Sequence, residues 1–410
     1  MIKNKVILVI MAIIPVFFFP VYFSDAAPDL NAAPEITGEA AVLIDGKTGQ
    51  VLFEKNAHRR MYPASTTKIL TAVLALEKGA LDEVVTVPEC ACNIEGSALG
   101  LQEGEGVFLE DLLYALMLNS GNDVAIAVAC HIGGSVEGFV HMMNKKAEDI
   151  GALNTHFSNP NGLPAPDHYA TAYDLALISR YAMQNRKFRE LVSTKVKNME
   201  RTVPDAQIYL QNHNRLLWRY DGAAGIKTGY TNAAGQCLVA AALRQERELI
   251  TVVLKSVGAD IWTDTEQLLD YGFDNFVPVI LTQAGRFVAN APVRFGDADT
   301  VPVQTGSFLS YNFAAGEIKD DIQRVVTLDE NITAPVFPGE KLGELTFFGG
   351  GREVGRVDLL AQQGVGRHLL AQRCLWLLPA FFGLFIILSI IRSNRARHKR
   401  WERYKMKYRR

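Results

Sequence analysis

The 410-residue sequence predicts an α+β protein: a mostly antiparallel sheet with a helical subdomain, then a small all-β domain, then a C-terminal transmembrane helix. Three features carry that expectation. Strand-like runs open the chain and return after a block of helical periodicity between residues 66 and 184, as when a helical block packs on an antiparallel sheet. From Phe273 to about Gly364, short β runs alternate with turn residues and helical spacing fades, the texture of a separate small domain. Finally, the uncharged stretch Leu375 to Ile391 ends abruptly on a dense basic block.

The elements follow in order. Lys3 and Lys5 precede an apolar run from Val6 to Phe23, then Ser24-Asp25-Ala26-Ala27. A positive start, an apolar centre and small residues around a cut after Ala26 predict a signal peptide over residues 1–26. An uncleaved anchor is the alternative, and Pro15 and Pro20, which interrupt the run, weigh against it. Ala40–Asp45 and Gln50–Lys55 flank Gly46-Lys47-Thr48-Gly49 and read as a hairpin. Thr66 to Lys78 carries apolar residues at helical spacing, with Gly79 as the stop. Leu109–Asn119 and Asp123–Ile132 are helical runs split by Ser120-Gly121-Asn122. Two further helices, Phe139–Ile150 and Ala172–Gln184, flank a loop from Asn159 to Asp167. Strands are expected at Gly225–Tyr230, Cys237–Leu243 and Leu249–Ser256, with a closing helix at Thr263–Tyr271. This divides the chain into a body over 27–272, a β domain over 273–365, a linker over 366–374, a span over 375–391 and a basic tail over 392–410.

Composition narrows the class. With 49% hydrophobic and 21% charged residues, the chain has the material for two or three domains. Five cysteines exclude a disulfide-stapled miniprotein. The formal charge of −2 hides an asymmetry, because the tail 392–410 holds ten Lys/Arg against Glu402. Residues 24–391 therefore carry −13, which argues against nucleic acid as a partner. The uncharged run sits at the lower edge of the ~17–25 residues a helix needs to cross hydrocarbon. The positive-inside rule then puts the tail in the cytoplasm and the acidic body outside. Cys90 and Cys92 are too close to pair comfortably, Cys130 and Cys237 read as core, and Cys374 abuts the span. The eight histidines show no HExxH or other compact ligand spacing, so neither a metal nor another cofactor is expected.

Three short motifs carry chemistry. Ser65-Thr66-Thr67-Lys68 places a hydroxyl and an amine one helical turn apart. A serine needs a neighbouring base, and a lysine kept neutral by burial or by a second cation can be one. Ser120 and Asn122, at a break between helices, offer a proton relay and a carboxamide for a substrate amide. Lys227-Thr228-Gly229 opens a strand, where a cation and a hydroxyl could meet a carboxylate and a glycine lets an extended peptide approach. Each motif alone has an ordinary explanation as a helix cap or a turn. The chain even supplies duplicates: Lys47-Thr48-Gly49, assigned to the hairpin turn, and Ser310-Tyr311-Asn312, in the β domain.

In combination and in this order, the motifs form the signature of penicillin-interacting serine acyltransferases. Tyr62-Pro-Ala-Ser-Thr-Thr-Lys-Ile-Leu-Thr-Ala, Leu118-Asn-Ser-Gly-Asn-Asp-Val-Ala, Asn159-Pro-Asn-Gly-Leu, His168-Tyr-Ala-Thr-Ala-Tyr-Asp and Gly225-Ile-Lys-Thr-Gly-Tyr-Thr resemble the D-alanyl-D-alanine carboxypeptidases, the low-molecular-mass penicillin-binding proteins. The resemblance covers roughly residues 38–365 and implies a β-lactamase/transpeptidase-like body. It implies peptidoglycan stem peptides as substrate and β-lactams as covalent inhibitors. It also implies Ser65 as nucleophile, Lys68 as its base and Ser120 as proton relay. Asn122, Lys227, Thr228, Gly229 and Tyr230 would then bind substrate, with the N–H groups of Ser65 and Tyr230 forming an oxyanion hole. One departure stands out. Family members often carry an arginine after the third strand of the body's second half, where this chain reads Val257-Gly-Ala-Asp-Ile-Trp-Thr. Lys227 and Thr228 would have to suffice, or Arg215 or His213 would have to substitute. A non-hydrolysing penicillin sensor and a class A-like β-lactamase are the competing readings. For the latter, no convincing Glu-x-x-x-Asn lies between Asn122 and Lys227.

Overall fold

The computed structural model describes residues 33–201, 207–317 and 322–407; the predicted signal peptide lies outside them. A five-stranded sheet organises the body, in the order Val51–Lys55, Ala40–Asp45, Arg247–Ser256, Gly235–Arg244, Ala223–Thr231. Every pairing is antiparallel, with Val42 opposite Val252 and Lys227 opposite Val239. Successive side chains alternate faces. Val42, Ile44, Val239 and Val252 join the helical block, while Ala41, Leu238, Ala240 and Val253 pack beneath the helix Asp260–Asn275. With both faces covered, all six residues of Ala40–Asp45 are buried, which is why the first five, Ala40 to Ile44, read as an unbroken apolar run.

The helical block surrounds Lys68–Lys78, whose first eight residues are all buried; an apolar belt on every side suits a central helix. Leu109–Leu118, Asn122–Gly133, Val136–Ile150 and Ala172–Ala182 pack around it. Sequence periodicity located these four helices to within a few residues, but the N-terminus of the central one differs. The chain enters it through a 3-10 turn, Ala64–Thr67, before the α-helix proper. The closing helix, expected at Thr263–Tyr271, extends over Asp260–Asn275. The helix Arg186–Ser193 and the hairpin of Val196–Glu200 with Gln207–Gln211 were not anticipated. That helix buries only Phe188, Leu191 and Val192, and is set by Asn185, whose side chain accepts from the Lys187 and Phe188 N–H groups.

Beyond Asn275 lies a second sheet, ordered Phe287–Pro292, Thr300–Thr305, Arg352–Ala361, Lys341–Gly349, Gln323–Leu328, beside the pair Phe276–Thr282 and Leu309–Ala314. It has its own core, including Val301, Val303, Phe347 and Leu359. Both duplicate motifs lie at the junction of the two sheets. Asn312 exchanges hydrogen bonds with Gln50, at 2.7 and 3.0 Å, and accepts one from Arg247 at 3.0 Å. The Lys47 ammonium sits 3.9 Å from the Phe308 ring centroid.

The last described element is a helix, Leu369–Lys407, with Pro379 inside it. It starts within the stretch expected to be a linker. Among the described residues, no single helix is long and apolar enough to cross a membrane. At 1.5 Å per residue the uncharged run would span about 26 Å, less than a ~30 Å hydrocarbon core.

Candidate active site

The site is built where the central helix meets the edge of the sheet. Ala64 adopts a positive φ of 48°, and the turn that follows presents half-buried Ser65 at the helix mouth. Lys68, one turn on, is completely buried. Its Nζ donates to Ser65 Oγ at 2.9 Å, to Asn122 Oδ1 at 2.7 Å and to the Asn161 carbonyl at 2.7 Å. Burial, and secondarily the charge of Lys227, hold the Lys68 amine well below its ordinary value, against an opposing pull from Asp123. Loss of one proton leaves two N–H bonds and a lone pair. The two carbonyl oxygens are fixed acceptors for the hydrogens, so the lone pair is left to Ser65.

Asn122 is reached through a strained turn, with Ser120 at φ 66°. Ser120 and Asn122 are both buried, and Asn122 is committed at both ends of its amide. Its Oδ1 accepts from Lys68, while its Nδ2 donates to the Glu95 carbonyl at 2.6 Å. The Asn122 backbone N–H donates to Ser97 O at 2.7 Å. The neighbouring Asp123 carboxylate accepts from the N–H groups of Leu99, Gly100, Leu101 and Val124. These contacts fasten the 95–101 loop over the helix that starts at Asn122.

On the opposite side runs the edge strand Ala223–Thr231. Lys227 is buried and donates to the Thr228 carbonyl at 3.0 Å. Burial pushes its amine down to about 7. Ser65, Ser120, Thr228, Gly229 and Tyr230 line one cleft of about 1080 Å³. Two glycines allow the backbones to close on the nucleophile. A Cβ on Gly229 would lie 2.9 Å from Ser65 N and 3.2 Å from Thr66 N. A Cβ on Gly162, at φ 92°, would overlap the Ala64 carbonyl oxygen and lie 2.9 Å from Ser65 N.

Thus all eight residues singled out from sequence converge at this one place, either lining the cleft or buried just behind it. Four participants had no assigned part: Asn161, Gly162, Asp123 and His168. The Asn159-Pro-Asn-Gly-Leu segment was conspicuous in sequence, but nothing local tells that its backbone carbonyl reaches a lysine. His168 holds the same segment. Its Nδ1 accepts from the Ser158 N–H at 3.1 Å, so the ring proton is on Nε2, which donates to Thr67 Oγ1 at 2.9 Å. Burial, then the charge of His156, lower this imidazole to about 4, which keeps it neutral.

Where the expected arginine is missing, the cleft wall is formed by Gly258, Ala259 and Trp262. The Arg215 guanidinium lies 5.9 Å from the Trp262 ring centroid, on the same cleft. Arg219, also on the wall, is paired with Glu266 at 2.8 Å. His213 is lowered by burial and then by the Lys227 charge. Among the described residues, no group of three or more His, Cys, Asp or Glu side chains is placed to hold a metal ion.

Comparison with known proteins agrees with this geometry. Residues 27–258 match the D-alanyl-D-alanine carboxypeptidase family, and residues 276–367 match the C-terminal domain of penicillin-binding protein 5. The chain is 35% identical to the D-alanyl-D-alanine carboxypeptidase DacF of Bacillus subtilis, over 78% of this chain and 84% of that protein. It is 33% identical to DacD of Escherichia coli, over 83% and 90%. Penicillin-binding protein 5 from Haemophilus influenzae superposes with a TM-score of 0.74 at 30% identity, covering 82% of this chain and 99% of that one. A Streptomyces K15 DD-transpeptidase mutant superposes at 0.57 with 34% identity, over 59% and 99%. A buried lysine facing a helix-mouth serine, beside a strand-borne Lys-Thr-Gly, is therefore found in a chain that belongs to the D-alanyl-D-alanine carboxypeptidase family of serine peptidases.

Proposed function

We propose that this chain removes the terminal D-alanine from peptidoglycan stem peptides through an acyl-enzyme on Ser65. The observation that carries the reading is the Lys68 amine, buried and 2.9 Å from Ser65 Oγ, with two carbonyl acceptors for its remaining hydrogens. Ser65 Oγ attacks the carbonyl of the penultimate residue while its proton passes to Lys68. The N–H groups of Ser65 and Tyr230 receive the oxyanion, where one lost donor costs ~2.7–4 kcal/mol. Ser120 relays the proton to the departing amine, and water then cleaves the ester. Asn122 aligns Lys68 as well as facing the substrate amide. β-Lactams acylate the same serine, but their opened ring stays attached and obstructs that water.

The leaving residue's carboxylate meets Thr228 and Lys227. Lys227, with its amine near 7, is only partly charged at neutral pH. Among the described cations on the cleft wall, Arg219 is neutralised by Glu266. Arg215 forms no ion pair among the described residues and lies over the Trp262 ring, and it takes the part of the missing arginine. The signal peptide and the C-terminal helix with its basic tail fit an exported enzyme held at the membrane, its tail drawn to anionic lipid.

The test is incubation of the protein with a pentapeptide ending in D-Ala-D-Ala. Repeated release of D-alanine that disappears in Ser65→Ala supports the reading. Penicillin labelling of Ser65 without any turnover overturns it in favour of a sensor.

A further inference from the structure

The sequence placed Cys130 in the core and left Cys90 without a partner. In the fold, Cys130 is only half-buried and Cys90 is exposed, and their Sγ atoms stand 3.4 Å apart. Cys90 lies in the short 3-10 turn Glu89–Ala91, and Cys130 two turns along the helix that begins at Asn122. Nearby Cys92 is turned toward the Pro88 carbonyl, at 3.8 Å. Cys237 is buried against the sheet's edge, close to the Tyr62 and Ala234 carbonyls.

The position of the pair has a consequence for the site. The segment from Cys90 to Leu101 is already fastened at its far end, where Glu95 O, Ser97 O and three N–H groups bind Asn122 and Asp123. Its near end meets the same helix eight residues further on, about 12 Å along the axis. At that near end the two sulfurs are in contact, beside Ala91, which is buried in the same core as the helix.

We infer that Cys90 and Cys130 are a disulfide-forming pair, whose oxidation clamps the 90–101 segment at both ends onto the helix that carries Asn122. The oxidant is a low-molecular-mass or protein disulfide. The exposed Cys90 thiol loses its proton and attacks one sulfur of the donor, giving a mixed disulfide and releasing one thiolate. Cys130 then loses its proton and attacks the Cys90 sulfur, releasing the second thiolate. Two protein thiols give up two electrons and two protons, and one donor disulfide becomes two thiols. The ring so closed holds residues 90–130, long enough for a substantial effect on the unfolded chain.

The experiment uses the full chain incubated with oxidised glutathione at pH 8, then alkylated, weighed intact and peptide-mapped. We expect two fewer alkylated cysteines and a cross-linked peptide pair containing Cys90 and Cys130. Cys92→Ser should leave that result unchanged, while Cys130→Ser should stop at a glutathione adduct on Cys90. The oxidised protein should melt on the order of 5–10 °C higher than the reduced one, and Cys90→Ser should abolish the difference. A cross-link through Cys92, or a lasting glutathione adduct on Cys90 of the unmutated chain, would overturn the assignment. So would full alkylation of all five cysteines after oxidation.

Discussion

Gly162 makes the sharpest test of how Ser65 is positioned. Two separate penalties apply to Gly162→Ala. The first is backbone strain: at φ 92° an L side chain costs about 1–2 kcal/mol. The second is collision, because the new methyl would overlap the Ala64 carbonyl and press on Ser65 N. Backbone atoms on both sides leave no flexible tip to yield, so the turn must shift by about 1 Å. A displacement of that size at a reacting centre lowers rate by about 100-fold. Gly151→Ala carries the first penalty alone, since Gly151 has φ 91° and open space around its Cβ direction, so the difference between the two variants is the collision. Both variants should lose a few degrees in Tm, at ~2–4 °C per kcal/mol for a domain of this size. Only Gly162→Ala should lose acylation, measured as the second-order rate of fluorescent-penicillin labelling. Equal labelling rates in the two variants would show that the Asn159–Leu163 segment does not hold Ser65.

The twin tripeptides give a second contrast. Lys227→Ala should abolish D-alanine release, whereas Lys47→Ala, which loses a contact with Phe308, should leave activity largely intact and weaken only the junction between the two sheets. Lys227 also makes stability depend on pH. Its amine is near 7 in the fold and ~10.4 in the unfolded chain, so between those values the unfolded state binds more protons. Stability should rise with pH through this window, by at most about 5 kcal/mol, and below pH 7 the fold bears the full burden of a buried charge. Urea midpoints of the wild type and Lys227→Met, compared at pH 6 and pH 9.5, should diverge in that direction. Arg215→Ala should lower kcat/KM by about 10-fold for a peptide with a free terminal carboxylate. The same peptide amidated at its end should be unaffected, and Arg215→Lys should recover part of the loss.

Much of this was legible in the residues because local chemistry imposes it. Helical spacing marks Leu109–Leu118 and Ala172–Ala182, and a one-turn separation already brings Ser65 and Lys68 together. That Lys227 sits on a strand was legible too, but the strand runs Ala223–Thr231 and puts Lys227 at its middle rather than at its start, and its edge position is set by the sheet order, which no local pattern records. Tertiary contacts were not legible. Asn161 acts through a backbone carbonyl, which any residue type could supply. The Cys90–Cys130 contact joins residues 40 apart, and no local pattern records it. The helix Arg186–Ser193 hides because three buried side chains are too few to make a period.

The account rests on an uncharged amine at Lys68, and NMR of lysine labelled at Cε and Nζ reads that directly. The signal lost in Lys68→Arg should titrate well below the ordinary lysine value of 10.5, and should move upward in Lys227→Gln once the neighbouring cation is gone. Titration at or above 10.5, unmoved by Lys227→Gln, would mean that Lys68 stays protonated and that Ser65 takes its activation from elsewhere.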